Sequence, residues 1–81
     1  MTENESTIRE VIAQHGRLAI DVASLDLHAS LYGVGLTSHA SVSVMLALED
    51  QFNVEFPEAM LSRKTFESIE SIGEAVGKLV G

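Results

Sequence analysis

Cysteine is missing from this 81-residue chain altogether. Its absence excludes disulfide staples, thiolate nucleophiles and cysteine metal sites, so any thiol chemistry needs a sulfur that the polypeptide does not encode. Bases are scarce too: five lysines and arginines stand against twelve acids, a net charge of −7. Affinity for nucleic acid comes largely from lysine and arginine contacts to phosphate, so the charge argues against that class of partner and favours partners with basic surfaces. No apolar run approaches the roughly 20 residues that cross a bilayer, and the opening "MTENEST" is polar and acidic rather than basic then apolar. The expectation is a cytoplasmic protein with no membrane partner. Proline occurs once, no internal repeat is evident, and no stretch alternates apolar and polar residues between turn signals, so no sheet is expected.

What is present suffices for one small core. With 46% apolar and 21% charged residues the chain reads as a single folded domain over residues 1–81, a monomer. A domain of this size buries roughly 60 to 70% of the surface that its unfolded chain exposes. Ile8, Val11 and Ile12 have helical spacing, Thr7 and Glu10 stand in the capping-box relation ahead of them, and Gly16 marks the stop of the first helix. The apolar residues of 18–36 keep no period of either kind, so this stretch is expected to be a long, packed loop with room for one short helical turn. The second helix begins at Thr37 or Ser38, both natural cap types, and runs to Phe52 with Asn53 at its end. Pro57 breaks the chain and leaves room for a short helix over residues 58–62. The last helix follows Ser68, with Ile69, Ile72, Val76, Leu79 and Val80 on one side and Glu74 and Lys78 as an exposed pair. These elements predict an all-α, small four-helix bundle: three main helices, one short one, and a long loop between the first and second.

On a helical wheel the second helix turns Ala40, Val44, Met45, Leu48 and Phe52 to the core. Its other side carries Ser38, His39, Ser43, Glu49 and Asp50, with Val42 and Leu46 as apolar islands among them. Scattered exposed apolar residues are normal, but two anchors ringed by acids also suit a docking patch. Ser38 lies at the end of that patch, where unpaired amide N–H groups and the helix dipole favour negative charge, although serine at a helix start is most often only a cap. A Ser38–His39–carboxylate triad is disfavoured, because neighbours in a helix point about 100° apart. His15, His28 and His39 lack the spacing of a metal site; His15 is assigned to the core edge and His28 to the loop. Arg63 and Lys64 read as a solvated turn, and Gly73, Gly77 and Gly81 as a stripe for close helix packing.

The order Gly-Leu-x-Ser, helix, Phe, then Pro in "GLTSHASVSVMLALEDQFNVEFPE" resembles the acyl carrier protein family over nearly the whole chain. The resemblance implies a four-helix bundle whose Ser38 receives 4′-phosphopantetheine from a phosphopantetheinyl transferase. It also implies a non-catalytic carrier that holds its cargo as a thioester on the borrowed thiol. Where the family usually has an acid before the serine this chain has Thr37, and where leucine commonly follows it has His39; Ala40 and Ser43 also stand at positions often acidic in fatty-acid carriers. "SHASVSVMLALED" is similar to small free-standing carriers that accept amino acids from ligases related to class II aminoacyl-tRNA synthetases. An amino acid:carrier protein ligase is thus the expected partner, meeting Thr37, His39, Val42, Leu46, Glu49 and Asp50. Carriage of fatty or polyketide chains is one alternative, and an unmodified helical interaction module is the other.

Overall fold

A computed structural model describes residues 2–80. Three α-helices carry the fold, α1 (Thr2–His15), α2 (Ser38–Phe52) and α3 (Ile69–Val80), with no strand among the described residues. Helix α1 packs on both others. It begins well before Thr7, which is interior to the helix, so Thr7 and Glu10 form no capping box. The early start gains an i,i+4 ion pair, Arg9 Nε to Glu5 Oε2 at 2.9 Å. The helix ends where the sequence predicts, but for another reason: Arg17, not Gly16, takes the left-handed turn at φ 56°. A Cβ on Gly16 would stand 2.7 Å from the Ile12 carbonyl oxygen, so glycine there serves close approach. Gly16 is buried and carries the inward stripe on from Ile12, four residues back. His15, expected at the core edge, is exposed.

The stretch from α1 to α2, predicted as a long loop, contains two 3-10 turns, Val22–Ser24 and Tyr32–Val34. Arg9 holds the first: its Nη1 donates to the carbonyls of Val22 at 2.8 Å and Leu25 at 2.7 Å. The second is held from α3's side, with the Leu31 amide donating to Glu67 O at 2.7 Å and the Glu70 amide to Leu27 O at 3.0 Å. His28 Nδ1 lies 3.1 Å from Glu70 Oε1. Val22, Leu31 and Leu36 of this stretch are buried with Ile8 and Ile12 of α1, Val44 and Leu48 of α2, and Ile69, Ile72 and Val76 of α3. At roughly 1.5–3 kcal/mol for each fully buried aliphatic side chain, the connection contributes as a helix face would. Gly35 then turns the chain into α2 at φ +118°, a backbone that side chains with a Cβ rarely adopt.

Beyond α2, Asn53 closes the helix in the left-handed conformation, its amide bonded to Glu49 O. In place of the short fourth helix stands one 3-10 turn, Glu58–Met60, and the chain leaves helical geometry again at Leu61. Phe56 and Phe66 meet edge to face with ring centroids 5.7 Å apart. Helix α3 opens on a serine pair: the Ser71 amide donates to Ser68 Oγ at 3.1 Å and the Ser68 amide to Ser71 Oγ at 3.0 Å, a capping box with serine at both positions. Of its predicted apolar side, Ile69, Ile72 and Val76 are buried, while Val80 is exposed at the helix end. Glu74 and Lys78 are exposed without an ion pair between them. Gly73 is buried, but Gly77 has nothing within 4 Å of its missing Cβ and packs against no neighbour. Gly81 lies outside the described residues. No described helix is long and apolar enough to cross a membrane.

Candidate functional site

The site is the start of α2. Thr37 is its cap: extended at φ −97° and ψ 163°, it accepts a hydrogen bond on Oγ1 from the Ala40 amide at 3.0 Å, and its carbonyl takes the Ser41 amide at 2.9 Å. Ser38 follows as the first helical residue. It is exposed, and its hydroxyl makes no hydrogen bond among the described residues. Its carbonyl is engaged, accepting from Ser41 Oγ at 2.7 Å. The amides of Ser38 and His39 precede the first intrahelical donor and stay free for a ligand or water. A free hydroxyl beside two free amides, at the positive end of a 15-residue helix, accommodates a negatively charged group esterified to that oxygen.

An open groove of about 320 Å³ runs from Ser38. One wall is α2, through Ser41, Val42 and Met45; the other is Tyr32 with Leu61, Ser62, Arg63 and Phe66. Arg63 and Lys64 lie in an exposed turn, as expected, and the Arg63 guanidinium carbon stands 4.0 Å above the Tyr32 ring centroid. The sequence offered no local signal for this second wall, because Tyr32 and residues 61–66 come from two distant connections.

The islands Val42 and Leu46 are both on the surface, 50% and 55% exposed. They form a ridge between two hollows: Val42 lines the Ser38 groove, whereas Leu46 lines a second groove, of about 420 Å³, between α1 and α2 with Glu10 and Asp50. His39 is exposed. Asp50 is exposed as expected, but Glu49 is half-buried, and its Oε2 accepts from the Phe56 amide at 2.8 Å. Glu49 therefore ties the end of α2 to the following turn as well as bordering the surface. Ala40, Val44 and Leu48 are buried; Met45 and Phe52 are half-buried at the edge of the core.

Residues 6–76 match the phosphopantetheine attachment site family. The chain is 45% identical over 71 residues to the aminoacyl carrier protein of Agrobacterium fabrum, covering 88% of this chain and 86% of that one. Among solved structures it resembles a carrier protein from Agrobacterium tumefaciens in complex with an engineered Bradyrhizobium japonicum glycine:carrier protein ligase and ATP. There the TM-score is 0.90 at 42% identity, over 94% of this chain and 99% of that one. It also resembles the complex of a Bradyrhizobium japonicum glycine:carrier protein ligase with glycylated carrier protein, with a TM-score of 0.77 at 27% identity over 90% of this chain and 97% of that one. The chain belongs to the phosphopantetheine-attachment family of carrier proteins, as a homologue of the aminoacyl carrier proteins.

Proposed function

We propose that Ser38 is the attachment residue and that this chain carries an amino acid on 4′-phosphopantetheine in the cytoplasm, serving partner enzymes as a substrate and catalysing nothing itself. The observation that carries the assignment is the exposed Ser38 hydroxyl, without a hydrogen-bond partner among the described residues at the mouth of α2, where Thr37 supplies the cap. Loading would proceed by attack of Ser38 Oγ on the pantetheine-bearing phosphorus of coenzyme A. A Ser38 O–P bond forms, the P–O bond to 3′,5′-ADP breaks, and the serine proton passes to a base of the phosphopantetheinyl transferase. The bound arm supplies a terminal thiol on which a carboxylic acid is held as a thioester. Ser38 fixes where the arm is rooted, and the rigid helix confines the cargo to a small volume at a docked partner, which raises its effective concentration there.

For the cargo, the supporting facts are the 45% identity to an aminoacyl carrier protein and the likeness to carriers in complex with a glycine:carrier protein ligase. The partner-facing surface is taken as Thr37, His39, Val42, Leu46, Glu49 and Asp50, a mixed apolar and acidic face suited to a basic enzyme surface. Intact mass after incubation with coenzyme A and a broad-specificity transferase tests the attachment. Wild type gains the mass of the arm and Ser38→Ala does not. No gain on wild type, under conditions that modify a control carrier, would reject the assignment and leave an unmodified interaction module. Offering the modified protein amino acids with a ligase and ATP, against long acyl chains with an acyl-transferring enzyme, separates the cargo classes; acceptance of acyl chains alone would reject the aminoacyl reading.

A further inference from the structure

The ridge of Val42 and Leu46 has a second side, and nothing in the carrier chemistry of Ser38 uses it. Leu46, 55% exposed, lines a hollow of about 420 Å³ between α1 and α2. The less exposed part of that lining is Thr7 and Val11 on α1 and Ser43 and Ala47 on α2, each pair four residues apart and so on one helix face. Side chains as short as Ser43 and Ala47 leave the seam between the helices unfilled. The exposed part repeats the spacing: Glu10 and Gln14 edge the α1 side, Leu46 and Asp50 the α2 side. One acid therefore stands on each bank. Neither is in an ion pair among the described residues, and no lysine or arginine lines the hollow.

We propose that this groove is a docking site for a helical segment of a partner protein that presents one branched apolar side chain between lysines or arginines. The proposal deepens the partner-facing surface described above and rests on it for Leu46 and Asp50; what it adds is the α1 bank, with Glu10, and the chemistry of the partner. Charge complementarity chooses the occupant. A second copy of this chain, at −7, would set like charge against Glu10 and Asp50, and so would an anionic lipid surface. Cations on either side of an apolar anchor meet both carboxylates while the anchor covers Leu46 and Ala47. Because Glu10 and Asp50 are exposed, each pairing is screened by water and salt, so the contact is weak and quickly reversed. Ser38 lines the other groove and not this one, so the segment holds the carrier whether or not the arm is attached.

The probe is a short synthetic helix-forming peptide with a central leucine and an arginine one turn to either side, titrated into the isotope-labelled holo protein. It shifts the amide resonances of Glu10, Gln14, Leu46 and Gln51, equally in apo and holo forms, and raising the salt concentration reverses the shifts. Glu10→Lys, Asp50→Lys and Leu46→Ser each raise its Kd about three- to tenfold with circular dichroism unchanged, whereas Val42→Asp, across the ridge, leaves Kd near wild type. The same peptide with glutamate in place of arginine produces no shifts. Absence of shifts with the arginine peptide, shifts centred on Ser41 and Met45 of the other groove, or a Kd unaltered by Glu10→Lys overturns the proposal. Ligase binding by Val42→Asp judges the partner-facing surface separately: unaltered ligase binding there rejects that surface, whatever the peptide does.

Discussion

Arg9→Ala removes the side chain that holds the α1–α2 connection to α1. Arg9 Nη1 donates at 2.8 Å to Val22 O and at 2.7 Å to Leu25 O, with a third, weaker approach of 3.5 Å to Ala23 O. Hydrogen bonds from a charged donor contribute about 1.5–3 kcal/mol each when shielded. The Arg9 side chain is 18% exposed, so water can partly replace the lost donor, and the sum is discounted to about 2–3 kcal/mol for the two short bonds. For a domain of this size that lowers Tm by about 10–20 °C. The Glu5 pair belongs to the class worth about 0.3–0.5 kcal/mol, so Glu5→Gln lowers Tm by only about 2 °C. Arg9→Lys restores little, because one ammonium cannot match the fork that reaches Glu5 and two carbonyls together. Urea denaturation with an unchanged slope measures the loss, and amide exchange at residues 23–25 locates it. A loss below about 1 kcal/mol for Arg9→Ala, or full rescue by lysine, would refute the assignment of these bonds as the clamp.

Gly77→Ala stabilises the protein by up to about 1 kcal/mol, since the added methyl meets nothing within 4 Å and alanine is the better helix former; a lower urea midpoint would contradict it. Val44→Asp unfolds the domain by placing an unpaired charge in the core, whereas Val42→Asp and Leu46→Asp leave the circular dichroism and Tm near wild type and weaken ligase binding. Glu49→Ala costs about 1 kcal/mol in a thermal melt because the Phe56 amide loses its acceptor, while Asp50→Ala changes Tm little but lowers the salt dependence of ligase binding. Thr37→Ala costs about 1 kcal/mol of stability and Thr37→Asp restores it, with Ser38 still modified in both by intact mass.

Helices α2 and α3 were legible because their signals are local: Thr37 or Ser38 as start, Asn53 as stop, Ser68 as cap, and a 3.6-residue apolar period between them. Val42 and Leu46 were legible as exposed for the same reason, since a wheel separates faces without knowing what lies opposite. The separation of Val42 and Leu46 into two grooves was not legible, because one groove needs Tyr32 and Arg63 and the other needs Glu10 and His15. The α1–α2 connection has no period because its order comes from short internal turns together with Arg9 and the start of α3. Its buried Val22, Leu31 and Leu36 hinted at packing without a pattern. Glu49 looked like surface because its partner is the backbone of Phe56, seven residues on, and sequence reports side chains only. The misplaced start of α1 has a simpler cause: Thr7 imitates a cap, and the Glu5–Arg9 pair that carries the helix past it is a weaker sign.

The division between Thr37 and Ser38 has an energetic consequence. Had the capping oxygen and the modified oxygen been the same atom, esterification would strip α2 of its first-turn acceptor, and each loading would loosen the fold. With the cap on Thr37 and the proposed attachment on Ser38, the bond to Ala40 would survive derivatisation. On that proposal, apo and loaded forms would melt at nearly the same temperature, and the start of α2 would keep its shape through loading.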